Sequence, residues 1–238
     1  MTKPFLTAEW KHLLMANYAI DPMLLRSYVP RHTELDEYNN CCYISLVGFL
    51  FSDTRVKGIR VPWHHTFEEV NLRFYVRYKE GNQWKRGVVF LKEIVPKRAI
   101  TFIANSVYGE KYATHAMSHS IQFLEDSLHL AYRWKVGRHW NSLSAVAQKE
   151  NEKIVTNSIE EFITEHYWGF TQINKAGTGM YEVMHPQWKV HPVTSFNVEC
   201  SFGKLYGPSF QFLENAQPVN ALLAEGSPIS VFPGIKLF

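Results

Sequence analysis

The segment FEEVNLRFYVRYKEG carries the densest set of residues able to do chemistry in this chain. Glu69, Asn71, Arg73 and Tyr75 alternate with Val70, Leu72, Phe74 and Val76. A period of two belongs to a β-strand, whose successive side chains point to opposite faces. One face therefore gathers a carboxyl, an amide, a guanidinium and a phenol. A carboxyl can move a proton to or from a bound molecule, and a guanidinium presents a planar fork of donors to a carboxylate. Arg77 extends the same parity, and Arg26 is a further candidate anion anchor. Such alternation ordinarily means core on one side and water on the other. The tyrosine on the polar face argues instead for a pocket wall, and both readings are open at this point.

The second candidate lies in SVYGEKYATHAM, where Lys111 stands between Glu110 and Tyr112, just after Gly109. Lys111 is either a surface charge behind a helix or an amine placed for chemistry. Other chemistries find less support. His64-His65 and the pair His115 and His119 are the clusters a metal would need. Four apart on a strand, the latter pair shares a face but stands too far apart for one zinc. Glu165-His166 lacks the remainder of an HExxH motif, so no metal is expected. Cys41 and Cys42 sit in an apolar run, where a thiol is usually an inert small hydrophobe. No GxSxG elbow surrounds a serine, and Gly226-Ser227-Pro228 reads as a turn ahead of a strand. The glycines are dispersed singly, without a phosphate-binding loop. No cofactor is expected.

Composition narrows the partners. The 238 residues suit one domain, 1–238, and 46% are hydrophobic, as in ordinary globular chains. A net charge of +3 without any run of like charges offers no basic stripe for nucleic acid. No apolar run is long enough for a membrane span or shaped like a secretion signal, so no membrane partner is expected. Three cysteines without a CxxC pattern suit reduced thiols and a cytoplasmic location. A small-molecule ligand and a homo-oligomer are the partners left open.

The elements that must position these residues are legible in outline. WKHLLMANYAI reads as a strand, and Asp21-Pro22 opens a short helix that ends before Pro30. CCYISLVGFLF, Cys41 to Phe51, is a strand buried on both faces. Residues 70–78 and 84–95 form a hairpin around a glycine-containing turn, the first strand half-buried. Ile100, Ile103, Ala104, Val107 and Tyr108 keep a helical period, with Gly109 as the C-terminal cap and a strand from Tyr112. Residues 113–123 and 128–136 are extended. Ser158 and Glu161 match a capping box, followed by extended HYWGFTQ, a strand in WKVHPVTSFNVECSF and a last strand after Gly226. Eight to ten strands and three short helices, joined mostly as neighbours, predict an antiparallel-rich α+β fold.

The blocks TAEWKHLLMANYAIDPMLLRSYVP, YISLVGFLF, FEEVNLRFYVR, GVVFLKEIVPKRAI, VYGEKY, EEFITEHYWGF and LAEGSPISV span nearly the whole chain. Together they resemble the YqjF-like family of uncharacterised conserved bacterial proteins, in the acetoacetate-decarboxylase-like superfamily. The resemblance implies a cone-shaped, mostly antiparallel β-barrel with a few short flanking helices and an interior cavity, and so favours the pocket reading of the Glu69 face. Acetoacetate decarboxylases attack a ketone with a neutral lysine amine. In them two consecutive lysines follow a helix, and a glutamate starts an earlier strand. Those positions correspond here to Glu110-Lys111 and Glu69. An acid in place of one lysine is the departure that matters, because a neighbouring carboxylate favours an ammonium over the neutral nucleophile. The expected function is a decarboxylase-like cavity that binds or transforms a small carboxylated or keto molecule without an intact lysine pair. Glu69, Glu110 and Lys111 are its candidate catalytic residues, and Arg73, Tyr75 and Arg77 its ligand contacts. A Schiff-base β-keto acid decarboxylase using Lys111, and a non-catalytic scaffold, are the alternatives.

Overall fold

A computed structural model of the chain describes residues 3–60, 66–108, 111–173 and 177–238. Strands dominate it. In chain order they are β1 (Leu6–Ile20), β2 (Thr33–Leu35), β3 (Cys42–Val56), β4 (Ile59–Arg60), β5 (Phe67–Glu80) and β6 (Gln83–Val95). There follow β7 (Tyr112–Thr114), β8 (Met117–Phe123), β9 (Ser127–Val136), β10 (His139–Gln148), β11 (Glu152–Lys153) and β12 (Trp168–Gln172). The last are β13 (Thr178–Met184), β14 (Lys189–His191), β15 (Val193–Glu199), β16 (Asn220–Val231) and β17 (Ile235–Leu237). Four short helices, α1 (Pro22–Leu25), α2 (Arg98–Tyr108), α3 (Ile159–Thr164) and α4 (Phe202–Tyr206), interrupt them. No helix among the described residues is long and apolar enough to cross a membrane.

The long strands lie side by side in the order β16-β1-β3-β5-β6, each antiparallel to the next. β12 joins β6 in parallel through Trp168↔Gly87 and Gly169↔Val88, then pairs β13 antiparallel, and β13 also meets β16 at Val183↔Val231. Gly87 permits that junction, since a Cβ there would lie 2.3 Å from the Trp168 carbonyl oxygen. A second sheet, β15-β10-β9-β8, packs on one face of the first. Between them Leu46, Val70, Leu72 and Phe74 meet Leu128, Leu130, Tyr132 and Trp134 in a solid apolar core.

Local signals set several boundaries. Asp21 Oδ1 accepts from the Met23 backbone N–H at 2.8 Å, capping α1 with proline at its first position. The box at α3 forms with one change of partner. Ser158 Oγ accepts from the Glu161 N–H, but Glu161 Oε2 reaches the N–H of Asn157 rather than that of Ser158. Gly109, the expected cap of α2, lies outside the described residues, as do Glu110, His64 and His65.

Three expectations are corrected. The strands number seventeen among the described residues, because several two- and three-residue strands, and β10 entirely, lacked the apolar runs that mark a strand. β16 runs through Gly226 instead of starting after it. It pairs with β1 in one unbroken register, Gly226 opposite Lys11, where Gly226 takes φ +88° and a Cβ would fall 2.0 Å from the Trp10 carbonyl oxygen. Finally β5 is buried on both faces from Val70 to Val76, so its polar side does not meet solvent.

Candidate functional site

The face of β5 opposite the solid core closes on a cavity of about 170 Å³. Glu69, Asn71 and Arg73 project into it because they share a parity, while Val70, Leu72 and Phe74 fill the core behind them. β6 contributes through an irregularity. Leu72 pairs with Lys92 but Arg73 pairs with Phe90, so one residue of β6 is extra and the parity of that strand changes. Val88 and Phe90 on one side of the bulge and Glu93 on the other thereby all reach the same cavity. β7 lies parallel to β6 with Tyr112 beside Glu93, which brings the Tyr112 ring into the wall. Apolar and aromatic residues make up most of the remainder, notably Trp10, Phe49, Phe51 and Trp188.

Glu69 is 2% exposed. Asn71 Nδ2 donates to its Oε1 at 3.0 Å, and the Tyr112 hydroxyl donates to its Oε2 at 3.0 Å. Burial pushes the Glu69 carboxyl up to about 7, against those two hydrogen bonds and the charge of Arg73. A carboxyl titrating near neutrality exchanges a proton with a bound molecule at little cost in either direction. Glu93, 2% exposed, is a second acid in the same wall. It stands across from Asn71 in the β5–β6 register, two residues along β5 from Glu69.

Arg73 is 8% exposed and forms no ion pair among the described residues. Among the described residues its Nη2 makes only long contacts, 3.7 Å to Met15 Sδ and 3.5 Å to the Ile163 carbonyl oxygen, and its Nε is buried without a partner. A guanidinium so placed is expensive unless something anionic meets it. Tyr75 supports this arrangement from behind, not from the lining itself. The Arg73 Cζ lies 5.8 Å from its ring, and its hydroxyl shares a 2.6 Å hydrogen bond with Ser45 Oγ.

Not every residue singled out from the sequence reaches the cavity. Lys111 is exposed, its Nζ 6.0 Å from the Tyr28 ring, because Tyr112 takes the inward parity at that edge and its neighbour must point away. No lysine lines the cavity among the described residues. Arg77 pairs with Glu34, Nε to Oε1 at 2.7 Å, and its guanidinium covers Trp84 at 4.4 Å on the outer surface. Arg26 borders the same open groove as Arg77. Glu110 lies outside the described residues. Of the remaining candidates, His115 Nδ1 meets the Lys135 carbonyl oxygen and His119 Nδ1 meets Glu68 Oε1 at 2.7 Å. Burial, with Glu37 beside it, pushes the Cys42 thiol up to about 12, and Ser227 Oγ accepts from Trp188 Nε1 at 2.8 Å.

The sequence reading missed Glu93, Tyr112 and His166. No sequence signal marked Glu93, since the bulge that turns both Phe90 and Glu93 inward is a property of the β5–β6 pairing. His166 lies 130 residues from the carboxylate it meets, Asp36, and no local pattern connects them.

With the site in view, comparison with known proteins is informative. The uncharacterized protein YqjF of Bacillus subtilis (strain 168) is 39% identical over 82 residues, which cover 34% of this chain and 32% of that protein. The matched segment thus spans about a third of that relative. Solved structures resemble the whole chain at low identity. An acetoacetate decarboxylase from Legionella pneumophila has a TM-score of 0.66 at 12% identity, covering 100% of this chain and 88% of that one. An acetoacetate decarboxylase-like enzyme from Sphingomonas wittichii RW1 gives 0.68 at 10% identity, covering 99% and 94%. The enduracididine biosynthesis enzyme MppR, complexed with pyruvate, gives 0.68 at 12% identity, covering 100% and 92%. These likenesses establish the fold. The model of DUF2071, a family of uncharacterized conserved proteins, matches residues 7–228, and the chain belongs to that family.

Proposed function

We propose that this chain binds, and transforms by acid–base chemistry, a small carboxylated or keto molecule in the cavity beside β5. The observation that carries the reading is Arg73, a guanidinium 8% exposed, without a carboxylate partner among the described residues, in an otherwise largely apolar wall. An anionic ligand supplies the missing charge, Glu69 the exchangeable proton, and the aromatic residues the apolar contact. The cavity is the interior of a cone-shaped barrel in this reading, supported by hydrogen bonding that passes β16-β1-β3-β5-β6-β12-β13 and returns to β16. The whole chain acts as one domain around it.

A Schiff-base mechanism through Lys111 is the weaker reading, since that side chain is exposed beside Tyr28. Incubation with acetoacetate and borohydride tests it: no adduct is expected on Lys111, and a trapped adduct there revives it. Calorimetric titration with 3-phenylpropanoate tests the proposed reading. The unmodified chain is expected to bind the probe, and Arg73→Met to lose at least about tenfold in affinity, the minimum for removing a charge-assisted bond. Equal affinity in both proteins, or no binding in either, refutes it.

A further inference from the structure

His166 is a polar group of the same cavity that neither Arg73 nor Glu69 accounts for. Its Nε2 lies 3.1 Å from Asp36 Oδ2, and Arg86 Nε donates to that same oxygen at 2.6 Å. Both partners of the histidine bond are buried, with side chains 1% and 5% exposed. Two elements far apart in sequence make the pair. Asp36 follows β2, held by its N–H on the Tyr75 carbonyl oxygen, and His166 follows α3.

Burial by itself would raise the Asp36 carboxyl, but the hydrogen bonds from His166 and Arg86 outweigh it and hold the group below its ordinary range. Burial brings the His166 imidazole down to about 4, the Asp36 bond opposing and the charges of Arg86 and Arg73 adding to the fall. The ring is therefore neutral, and a carboxylate at Nε2 can only accept, so Nε2 carries the hydrogen. Nδ1 is left as an acceptor. It is buried and has no partner among the described residues, on a ring that lines the cavity.

Arg73 and His166 meet at one tyrosine. The Arg73 Cζ lies 5.8 Å from the centre of the Tyr75 ring, and the His166 ring 4.7 Å from it. Both line the cavity, and the Arg73 charge acts on the His166 ring, so one small ligand can meet the two groups at once. The cavity has room for on the order of ten ligand heavy atoms, and Trp10, Phe49 and Phe51 offer rings to an apolar tail.

We propose that the site takes a carboxylate bearing a hydroxyl, or the hydroxyl of an enol, on the carbon next to the carboxyl group, whose hydrogen His166 Nδ1 accepts. Asp36 is the positioning residue that fixes the tautomer. This rests on the Arg73 anchor proposed above and adds to it the ligand's second group.

The test is a matched pair of probes, 2-hydroxy-3-phenylpropanoate and 3-phenylpropanoate, titrated into the full chain. The unmodified protein is expected to prefer the hydroxy acid by about tenfold, the reach of one well-made buried hydrogen bond. His166→Phe is expected to lose that preference, the ratio of the two affinities falling to about one. Asp36→Asn is expected to lose the preference too, because an amide can donate to Nε2 and turn Nδ1 into a donor. Since either variant can misfold, a reading on the unmodified chain stands beside them. In protein labelled with ¹⁵N-histidine, the His166 Nδ1 resonance is expected to move with the hydroxy acid and to stay with 3-phenylpropanoate. Equal binding of the two probes with a stationary Nδ1 resonance overturns the inference and leaves the Arg73 reading intact, water then being the partner of Nδ1. Failure of both probes to bind overturns the inference and that reading together.

Discussion

The two faces of β5 are both buried and do different work. On one, Val70, Leu72, Phe74 and Val76 are wholly buried in an interior shared with the second sheet. On the other, Glu69, Asn71 and Arg73 are buried around the cavity. Apolar burial lowers the free energy of the folded chain roughly in proportion to the area covered. Burial of a carboxyl and a guanidinium raises it unless each finds a partner. One strand therefore carries a stabilising face and a costly one, and a costly face persists where it serves binding or catalysis.

The comparison can be broken most forcefully on its apolar side. Phe74→Ala opens a void between the two sheets and is expected to lower stability by about 3–5 kcal/mol, measured by urea unfolding. A loss under about 1 kcal/mol would mean that the interior is not packed as described.

The polar side is next in size, and its signature is pH. Folded Glu69 titrates at about 7 against an ordinary 4.5. Between those values the folded chain keeps a proton that the unfolded chain has released, so stability falls as pH rises, by about 3 kcal/mol in all. His166 runs the other way. Its folded value is about 4 against an ordinary 6.5, so over that range the unfolded chain holds a proton the folded chain refuses. Stability there rises with pH by about 3 kcal/mol. The two slopes oppose each other from pH 4.5 to 6.5 and nearly cancel in the unmodified chain. Relative to it, Glu69→Gln is expected to gain stability with rising pH, and His166→Phe to lose it, in unfolding curves recorded across pH 4.5–6.5. Parallel curves for all three proteins would show that neither group is buried as described.

Arg73→Met is a smaller change with a telling sign. Removing a buried charge that has no ion-pair partner among the described residues, in favour of a side chain of similar length, is expected to raise stability by about 1 kcal/mol while binding of the carboxylate probe is lost. A loss of stability instead would mean that the guanidinium holds the fold together. Lys111→Ala is expected to do least, within about 0.5 kcal/mol in unfolding and with unchanged probe affinity. Any larger effect on binding would bring Lys111 back into the site.

The same two faces show how far the sequence can be read. Period-two alternation in residues 69–76 marks a strand and sorts its side chains correctly into two sets, because parity is a local property of the backbone. Whether the polar set meets water depends on what covers it, and Trp10, Phe49, Tyr112 and Trp188 come from four separate stretches of chain. The resemblance through VYGEKY brings attention to a junction that touches the cavity through the neighbour of Lys111. One residue of parity separates exposed Lys111 from Tyr112, whose hydroxyl donates to Glu69. Glu93 faces the cavity through a one-residue bulge, and Asp36 meets His166 only through tertiary packing. Spacing in sequence cannot express either.

A crystal structure of the chain soaked with 3-phenylpropanoate tests the central claim most directly. The account predicts the probe's carboxylate on the Arg73 guanidinium, close to Glu69, with its ring against Trp10, Phe49 and Phe51. A probe bound elsewhere, or a cavity that stays free of it at saturating concentration, would contradict the claim that the polar face of β5 is a binding site.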